Sequence, residues 1–273
     1  MLVGVKLFDS VKRRLRAFAD RLRRYVSKGS FRAIKYADQQ WDLLDGQPVH
    51  KVMLAPYREK YGNEHPKIAE FLNKLATMYE TNLAYSEAIR VRREALAINR
   101  KVFGNEHPAV AANLQALGVT LATKGNYRAA EPMFREAMEV HRKLGGDESQ
   151  PVAFDLGYLG RCLLEQAKYE EAERSYQEAL ALNRTLFGQN HDSVATTVVS
   201  LGSVLHAKRC WEAAERVFRE ALDMQHKLLG DKHPNLVDTM NWLATVLADK
   251  GDSEAAERLY REARELSSDS KYG

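Results

Sequence analysis

The sequence predicts an all-α fold, a right-handed superhelical solenoid of antiparallel helix pairs. Three observations carry this prediction: a loop signature that recurs every 42 residues, two helical patterns between successive loops, and small and large apolar residues three to four positions apart within each pattern. One helix pair cannot bury its apolar face alone, so we expect the repeats to stack side by side.

The recurring loop contains a glycine and, in most copies, a histidine followed by proline. Proline lacks an amide hydrogen, so it fits the start of a helix, and the loop glycine fits the end of the preceding one. The third loop has Ser149 in place of the histidine. The glycines are Gly62, Gly104, Gly146, Gly188 and Gly230, the histidines are His65, His107, His191 and His233, and the prolines are Pro66, Pro108, Pro151 and Pro234.

Each repeat also carries fixed positions within its two helices. In the first helix a leucine precedes a glycine or alanine, and we expect this small residue to let the second helix approach closely. In the second helix an aromatic residue lies between two alanines seven residues apart, except in the first repeat, which has Arg92 there. The leucines are Leu75, Leu117, Leu159, Leu201 and Leu243, and the aromatic residues are Phe134, Tyr176, Phe218 and Tyr260.

The pattern Leu117-Gly118, Gly125, Tyr127, Ala130, Phe134 and Ala137 resembles the tetratricopeptide repeat. With its 42-residue period and His-Pro loop, the chain is similar to the longer variant found in kinesin light chains and nephrocystin-3-like proteins. The resemblance covers about residues 61–266. It implies a protein-interaction scaffold or adaptor whose concave groove binds a peptide or helix of a partner protein.

The repeat register divides the chain into four parts. Residues 62–266 hold the five repeats, and residues 31–61 are apolar enough for a degenerate helical pair that caps the first one. Residues 267–273 are expected to form a flexible tail. Residues 1–28 form the remaining part, a predicted basic amphipathic helix.

That N-terminal segment concentrates the positive charge of the chain. It carries nine Lys or Arg and two Asp, a formal charge of +7, whereas the rest of the chain carries −3. The basic pI therefore gives no support to nucleic-acid binding by the repeats. Three interpretations stay open: packing on the solenoid or a partner, peripheral membrane contact through residues 2–26, and a mitochondrial presequence. The last two would make the protein a membrane-peripheral or mitochondrial assembly factor.

Several classes of protein are disfavoured by the remaining sequence. No apolar run approaches the roughly 18 to 20 residues of a transmembrane helix, and Cys162 and Cys210 are too few for a disulfide scaffold. We therefore expect a reducing, cytoplasmic location. The four loop histidines lie in different repeats, too far apart to share a metal. Without nucleotide-binding, nucleophile or zinc-protease motifs, we expect no enzyme, cofactor or metal site, and an enzyme remains the alternative from another class.

The resemblance implies which residues face the groove. In this family the first helices line it, and the residue two positions before the signature leucine points into it. In kinesin light chains that residue is typically asparagine, whose amide holds the backbone of an extended peptide. Asn73 and Asn241 match and Gln115 is a close substitute, whereas Gly157 and Val199 depart from the pattern.

An aromatic and cationic patch is predicted on the third repeat. Arg161 lies one helical turn from Tyr158 and two from Phe154, and such residues are enriched at interaction hot spots. The alternative is that both rings fill the interface between repeats and that Arg161 only points outward. The oligomeric state is left open. The predicted partner-binding residues are Asn73, Gln115, Phe154, Tyr158, Arg161, His206 and Asn241.

Overall fold

The computed structural model describes residues 49–231 and 233–269. The described part of the chain divides into two compact units, with the boundary between Asn105 and Glu106. In the described part every regular element is an α-helix and no strand occurs, which confirms the all-α prediction. The helices are α1 (Val49–Tyr61), α2 (Pro66–Thr81), α3 (Tyr85–Phe103), α4 (Pro108–Thr123), α5 (Tyr127–Gly145), α6 (Gln150–Leu164), α7 (Tyr169–Phe187), α8 (Asp192–Ala207), α9 (Trp211–Leu229), α10 (Asn235–Lys250) and α11 (Ser253–Asp269).

In the first unit, α2 and α3 form a helix pair and α1 packs on α2. Leu54 of α1 is fully buried, and the ring centroid of Tyr57 lies 4.8 Å from that of Phe71. These contacts cover the apolar face of α2. The predicted basic helix over residues 1–28 and the rest of the predicted capping pair lie outside the described residues.

In the second unit, four helix pairs follow one another: α4 with α5, α6 with α7, α8 with α9, and α10 with α11. The second helix of each pair also packs against the first helix of the next pair. This is the stacking that the repeat predicts. Helix α11 continues to Asp269, so it includes the first residues of the predicted tail over 267–273, and the last residues lie outside the described part.

In the three repeats with glycine after the signature leucine, an aromatic ring occupies the space that a side chain would need. A Cβ atom on Gly160 would lie 2.9 Å from the ring of Tyr176, and a Cβ atom on Gly202 would lie 2.8 Å from the ring of Phe218. Contacts this short are repulsive. The expected close approach of the two helices is therefore an approach of a ring to a backbone.

The first repeat accepts Arg92 at the aromatic position because Glu80 neutralises it. Arg92 is only 7% exposed, and its Nε and Nη2 atoms donate hydrogen bonds of 2.9 Å to the two carboxylate oxygens of Glu80. A planar guanidinium and a carboxylate fit each other in this two-bond arrangement. The buried charge is thereby paired.

The loop histidines cap the first helices. The Nδ1 atom of His107 accepts a hydrogen bond of 3.1 Å from the backbone N–H of Ala109, one of the amide groups that a helix start leaves unpaired. Pro234 precedes α10 with helical dihedral angles, so the predicted proline start is displaced there by one residue. The same bond is made by His65, His191 and His233.

Candidate functional site

A cleft of about 450 Å³ lies between α6 and α8, the first helices of two successive pairs in the second unit. Helix α7, which connects them in the chain, supplies a third wall. A cleft of this size is large enough for a side chain or a short run of an extended chain. Its three walls differ in chemistry.

The α6 wall carries the aromatic and cationic patch that the sequence predicts. Phe154, Tyr158 and Arg161 follow one another at intervals of four and three residues, which places them on one helix face, and all three line the cleft. Phe154 is 42% exposed, which is unusual for a ring that only fills a core. The structure therefore brings these three predicted residues together.

Tyr158 is held in place by other rings. Its ring centroid lies 4.7 Å from that of Phe154 and 5.1 Å from that of Phe134 in α5, on which it is stacked at an interplanar angle of 21°. Such contacts restrict the side chain before a ligand arrives, which lowers the entropy lost on binding. Tyr158 thus fits both alternatives that the sequence leaves open, because it packs on the preceding repeat and also lines the cleft.

Arg161 offers an unpaired positive charge. Its side chain is exposed, and it forms no hydrogen bond or ion pair with another described residue. Burial raises the pKa of the Tyr176 hydroxyl in the α7 wall. A hydrogen bond with Ser200 and the positive charge of Arg161 oppose this shift. Because no described residue pairs with it, the guanidinium is available to a carboxylate or phosphate of a ligand.

The α8 wall consists of small hydroxyl residues. Thr196 and Ser200 occupy the positions that Phe154 and Tyr158 hold 42 residues earlier, and both line the cleft. The Ser200 hydroxyl donates a hydrogen bond of 3.0 Å to the carbonyl oxygen of Thr196. These short side chains leave space beside the rings of α6. They were not predicted as site residues, although continuing the 42-residue register would have found them.

Gly157 contributes further space to the cleft. A Cβ atom on Gly157 would have no neighbouring atom within 4 Å, unlike a Cβ atom on Gly160 in the same helix. Glycine inside a helix costs about 1 kcal/mol relative to alanine, and no packing contact requires it here. The position at which the family resemblance expects an asparagine is therefore an opening.

Gln115 is engaged inside the protein. Its Nε2 atom donates a hydrogen bond of 2.9 Å to Asp155, whose other carboxylate oxygen lies 2.7 Å from Nδ1 of His141. Asp155 is fully buried, and burial raises the pKa of its carboxyl group, against the opposing hydrogen bonds from His141 and Gln115. The predicted groove amide is thus bonded to a buried carboxylate, which the sequence register did not suggest.

His206 and Asn241 lie on another part of the second unit. The Nε2 atom of His206 lies 2.7 Å from Oδ2 of Asp249, and its ring centroid lies 5.2 Å from that of Trp211 and 5.7 Å from that of Trp242. Asn241 precedes Trp242 in α10. Neither predicted residue lines the cleft between α6 and α8.

Trp242 was not predicted, although it holds in α10 the register position of Tyr158. Its ring is stacked on Phe218 with a centroid distance of 6.0 Å and an interplanar angle of 2°, as Tyr158 is stacked on Phe134. Trp242 is 38% exposed. The signal was present in the sequence as a tryptophan 84 residues after Tyr158.

Asn73 belongs to the first unit and lies in α2. Its Oδ1 atom is buried and has no hydrogen-bond partner among the described residues. A buried acceptor without a donor is unfavourable, so it gains from a ligand that supplies an N–H group. Its assignment to the binding groove stays a prediction.

No three His, Cys, Asp or Glu residues in the described part of the chain come together in a way that would hold a metal ion. No helix in residues 49–231 and 233–269 is long and apolar enough to cross a membrane.

Comparison with known families identifies the repeats. A model of the tetratricopeptide repeat matches residues 67–143, 124–185 and 193–269, which together span well over half of the chain. A search of curated protein sequences finds no match.

Solved structures give the same fold at low sequence identity. A putative kinesin light chain with nearly identical TPR-like repeats from Podosopora anserina is 20% identical, with a TM-score of 0.65, over 77% of this chain and 100% of that one. BtubC (BKLC) from P. vanneervenii is 21% identical, with a TM-score of 0.67, over 94% of this chain and 92% of that one. The apo form of RapI is 14% identical, with a TM-score of 0.60, over 95% of this chain and 100% of that one.

Proposed function

Because this chain belongs to the tetratricopeptide repeat family, whose members generally bind other proteins, we propose that it is a protein-interaction scaffold and that the cleft between α6 and α8 takes a peptide or helix of a partner. One observation carries the proposal: an open cleft in which Tyr158 is held in place by other rings and the Arg161 side chain has no hydrogen-bond or ion-pair partner among the described residues. Preorganised aromatic and arginine side chains are the usual centres of binding energy at protein interfaces.

The alternative from another class is an enzyme. Proteins of this repeat family are typically non-catalytic, and catalysis requires titratable groups that converge on one reacting atom. Arg161 and Asp192 are the charged residues lining this cleft. Purified protein that turns over a substrate in broad screens, but captures no partner, would favour the enzyme.

The test is capture of partners by the purified full-length chain. Tyr158→Ala combined with Arg161→Ala should weaken capture of a discrete partner by about 1 to 3 kcal/mol if these residues are hot spots. Arg174→Ala is the matched control, because Arg174 is an exposed arginine of α7 that does not line the cleft. Both proteins should keep the helical circular dichroism spectrum of the wild type. Unchanged affinity in the folded double variant would exclude this cleft as the binding site.

A cytoplasmic location belongs to the same proposal, since both cysteines are free thiols. A second candidate function rests on the +7 charge of residues 1–28: peripheral contact with a membrane, as in a membrane-peripheral or mitochondrial assembly factor. Each basic residue near an anionic bilayer contributes about 1 kcal/mol, and salt weakens the attraction. The full-length chain should then sediment with anionic liposomes at low salt, and a chain without residues 1–28 should not. Absence of sedimentation at low salt would exclude this candidate.

A further inference from the structure

Two charged side chains line the cleft between α6 and α8. Among its lining residues, only Arg161 and Asp192 carry a full charge. Neither side chain forms an ion pair or hydrogen bond with another described residue. Arg161 lies in the last turn of α6 and Asp192 is the first residue of α8, where each charge also suits the dipole of its helix. The cleft therefore has one cationic end and one anionic end.

The separation of the two ends follows from the repeat. Asp192 corresponds to Gln150 in the 42-residue register, and Arg161 lies eleven residues after Gln150. A helix rises about 1.5 Å per residue, so the two charges differ in level by about 16 Å along the cleft. An extended chain covers about 3.3 Å per residue, and about five residue steps span that distance.

The middle of the cleft is apolar on its α6 side. Phe154 and Tyr158 lie four and eight residues after Gln150, between the two charged ends, and Gly157 leaves the space beside them open. Apolar side chains of a ligand would gain by covering these rings. The charges favour opposite signs at the two ends of the ligand, and the rings favour an apolar residue between them.

We infer that the cleft selects a dipolar partner segment: an extended peptide with an acidic side chain at Arg161, a basic side chain at Asp192 about five positions away, and apolar residues between. This inference rests on the proposed function and adds the chemistry of the ligand. A neutral apolar peptide would cover the rings of Phe154 and Tyr158 but leave the charges of the cleft unpaired. A segment of one charge sign would pair with one end and be repelled at the other.

The test uses terminally blocked, fluorescein-labelled hexapeptides and the full-length protein. The two dipolar peptides are Lys-Ser-Leu-Leu-Ser-Glu and its reverse, Glu-Ser-Leu-Leu-Ser-Lys, since the chain direction in the cleft is not fixed by the charges. Gln-Ser-Leu-Leu-Ser-Gln is the neutral control, and Lys-Leu-Leu-Glu is the control for spacing. Anisotropy titrations give the dissociation constants.

One dipolar hexapeptide should bind about two- to 25-fold more tightly than the neutral hexapeptide, since each exposed ion pair contributes about 1.4- to fivefold. It should also bind more tightly than its own reverse and than the tetrapeptide. The double variant Arg161→Glu with Asp192→Lys should invert the preference between the two hexapeptides. Circular dichroism of this variant should show unchanged helix content, because both side chains are exposed.

Three results would overturn the inference. Equal binding of neutral and dipolar peptides, lost in Tyr158→Ala, would leave the proposed function standing and remove the charge selection. Loss of binding in Arg161→Glu without any effect of Asp192→Lys would indicate a simple anion site. No binding of any hexapeptide up to its solubility limit would also reject the dipolar ligand, while the partner capture described above decides the proposed function by itself.

Discussion

Two neighbouring faces of the second unit share one repeat plan but present different surfaces. Between α6 and α8, Tyr158 is stacked on the preceding repeat and borders an open cleft. Between α8 and α10, Trp242 is stacked in the same way, but His206 contacts both Trp242 and Trp211 and lies 2.7 Å from Asp249. The backbone register is the same at both places, so a few side chains decide whether a face offers room to a ligand.

Among the substitutions considered for these two faces, a change of the glycine beneath the cleft should reduce stability the most. Gly160→Val should destabilise the protein by about 1 to 3 kcal/mol, because its first side-chain carbon alone would lie 2.9 Å from the Tyr176 ring. Gly157→Val, three residues earlier in the same helix, is the control and should not destabilise, since its Cβ meets open space. Urea unfolding followed by circular dichroism measures both. An equal loss of unfolding free energy in both variants would show that the two glycines do not differ in packing.

The face between α8 and α10 should respond differently from the cleft between α6 and α8. His206→Ala should lower the free energy of unfolding by about 1 kcal/mol, since it removes the bond to Asp249 and ring contacts with two tryptophans. Partner affinity should change by less than twofold because His206 does not line the cleft. A large loss of partner affinity in the folded variant would instead show that His206 belongs to the binding site, as the sequence predicts.

The two repeat junctions beneath these faces differ in charge. Asp155 lies against His141 at one junction, whereas at the next the Nδ2 atom of Asn183 donates a bond of 3.0 Å to the Thr197 hydroxyl. Burial raises the pKa of Asp155, so the folded state favours the protonated carboxyl. The resulting stabilisation is fully present below the ordinary pKa of about 3.9 and is lost as pH rises through the raised value.

We therefore expect the wild type to lose stability relative to Asp155→Asn as pH rises from about 3.5 to 7. Thr197→Val at the neutral junction is the control, and its difference from the wild type should not vary with pH. Urea unfolding across this pH range tests both. If the stability of the wild type relative to Asp155→Asn instead increases as pH rises, pairing with His141 outweighs burial.

The smallest expected effect concerns the turns inside the helix pairs. Ala167 has a left-handed φ of 59°, the conformation that Gly125 and Gly251 adopt in other pairs. Ala167→Gly should raise the melting temperature slightly, because relief of up to about 1 kcal/mol of strain is partly offset by the greater freedom of glycine in the unfolded chain. Gly125→Ala should lower the melting temperature. A lower melting temperature in Ala167→Gly would show that the strain is negligible.

The repeat register predicted the helix pairs because it combines several independent signals at a fixed spacing. Helices α2 and α4 begin at the predicted prolines, and the glycine after the signature leucine meets a ring of the second helix in the three repeats that have glycine there. The turn at Ala167 was not marked by a glycine, and the equivalent turns hold Leu83 and Arg209 at the same left-handed φ of 60°.

The candidate site was less accessible to sequence. The spacing of Phe154, Tyr158 and Arg161 indicates one helix face, but the engagement of Gln115 depends on Asp155, 40 residues away, and that of His206 depends on Asp249 in the next pair. Polar partners at such separations cannot be read from helical periodicity. The assignments of Asn73 and Asn241 to the groove stay predictions. The basic amphipathic helix over residues 1–28 also stays a prediction.

The most direct test of the binding site fills the cleft without touching its other walls. Gly157→Leu should keep or raise the urea midpoint of unfolding, because a side chain there meets open space and leucine favours helix more than glycine does. Isothermal titration calorimetry of Gly157→Leu with the captured partner segment should then show at least a tenfold higher dissociation constant than the wild type. Gly157→Ala adds only one carbon, so its dissociation constant should rise less. A folded Gly157→Leu protein that binds the segment with wild-type affinity would contradict the assignment of the cleft as the partner site.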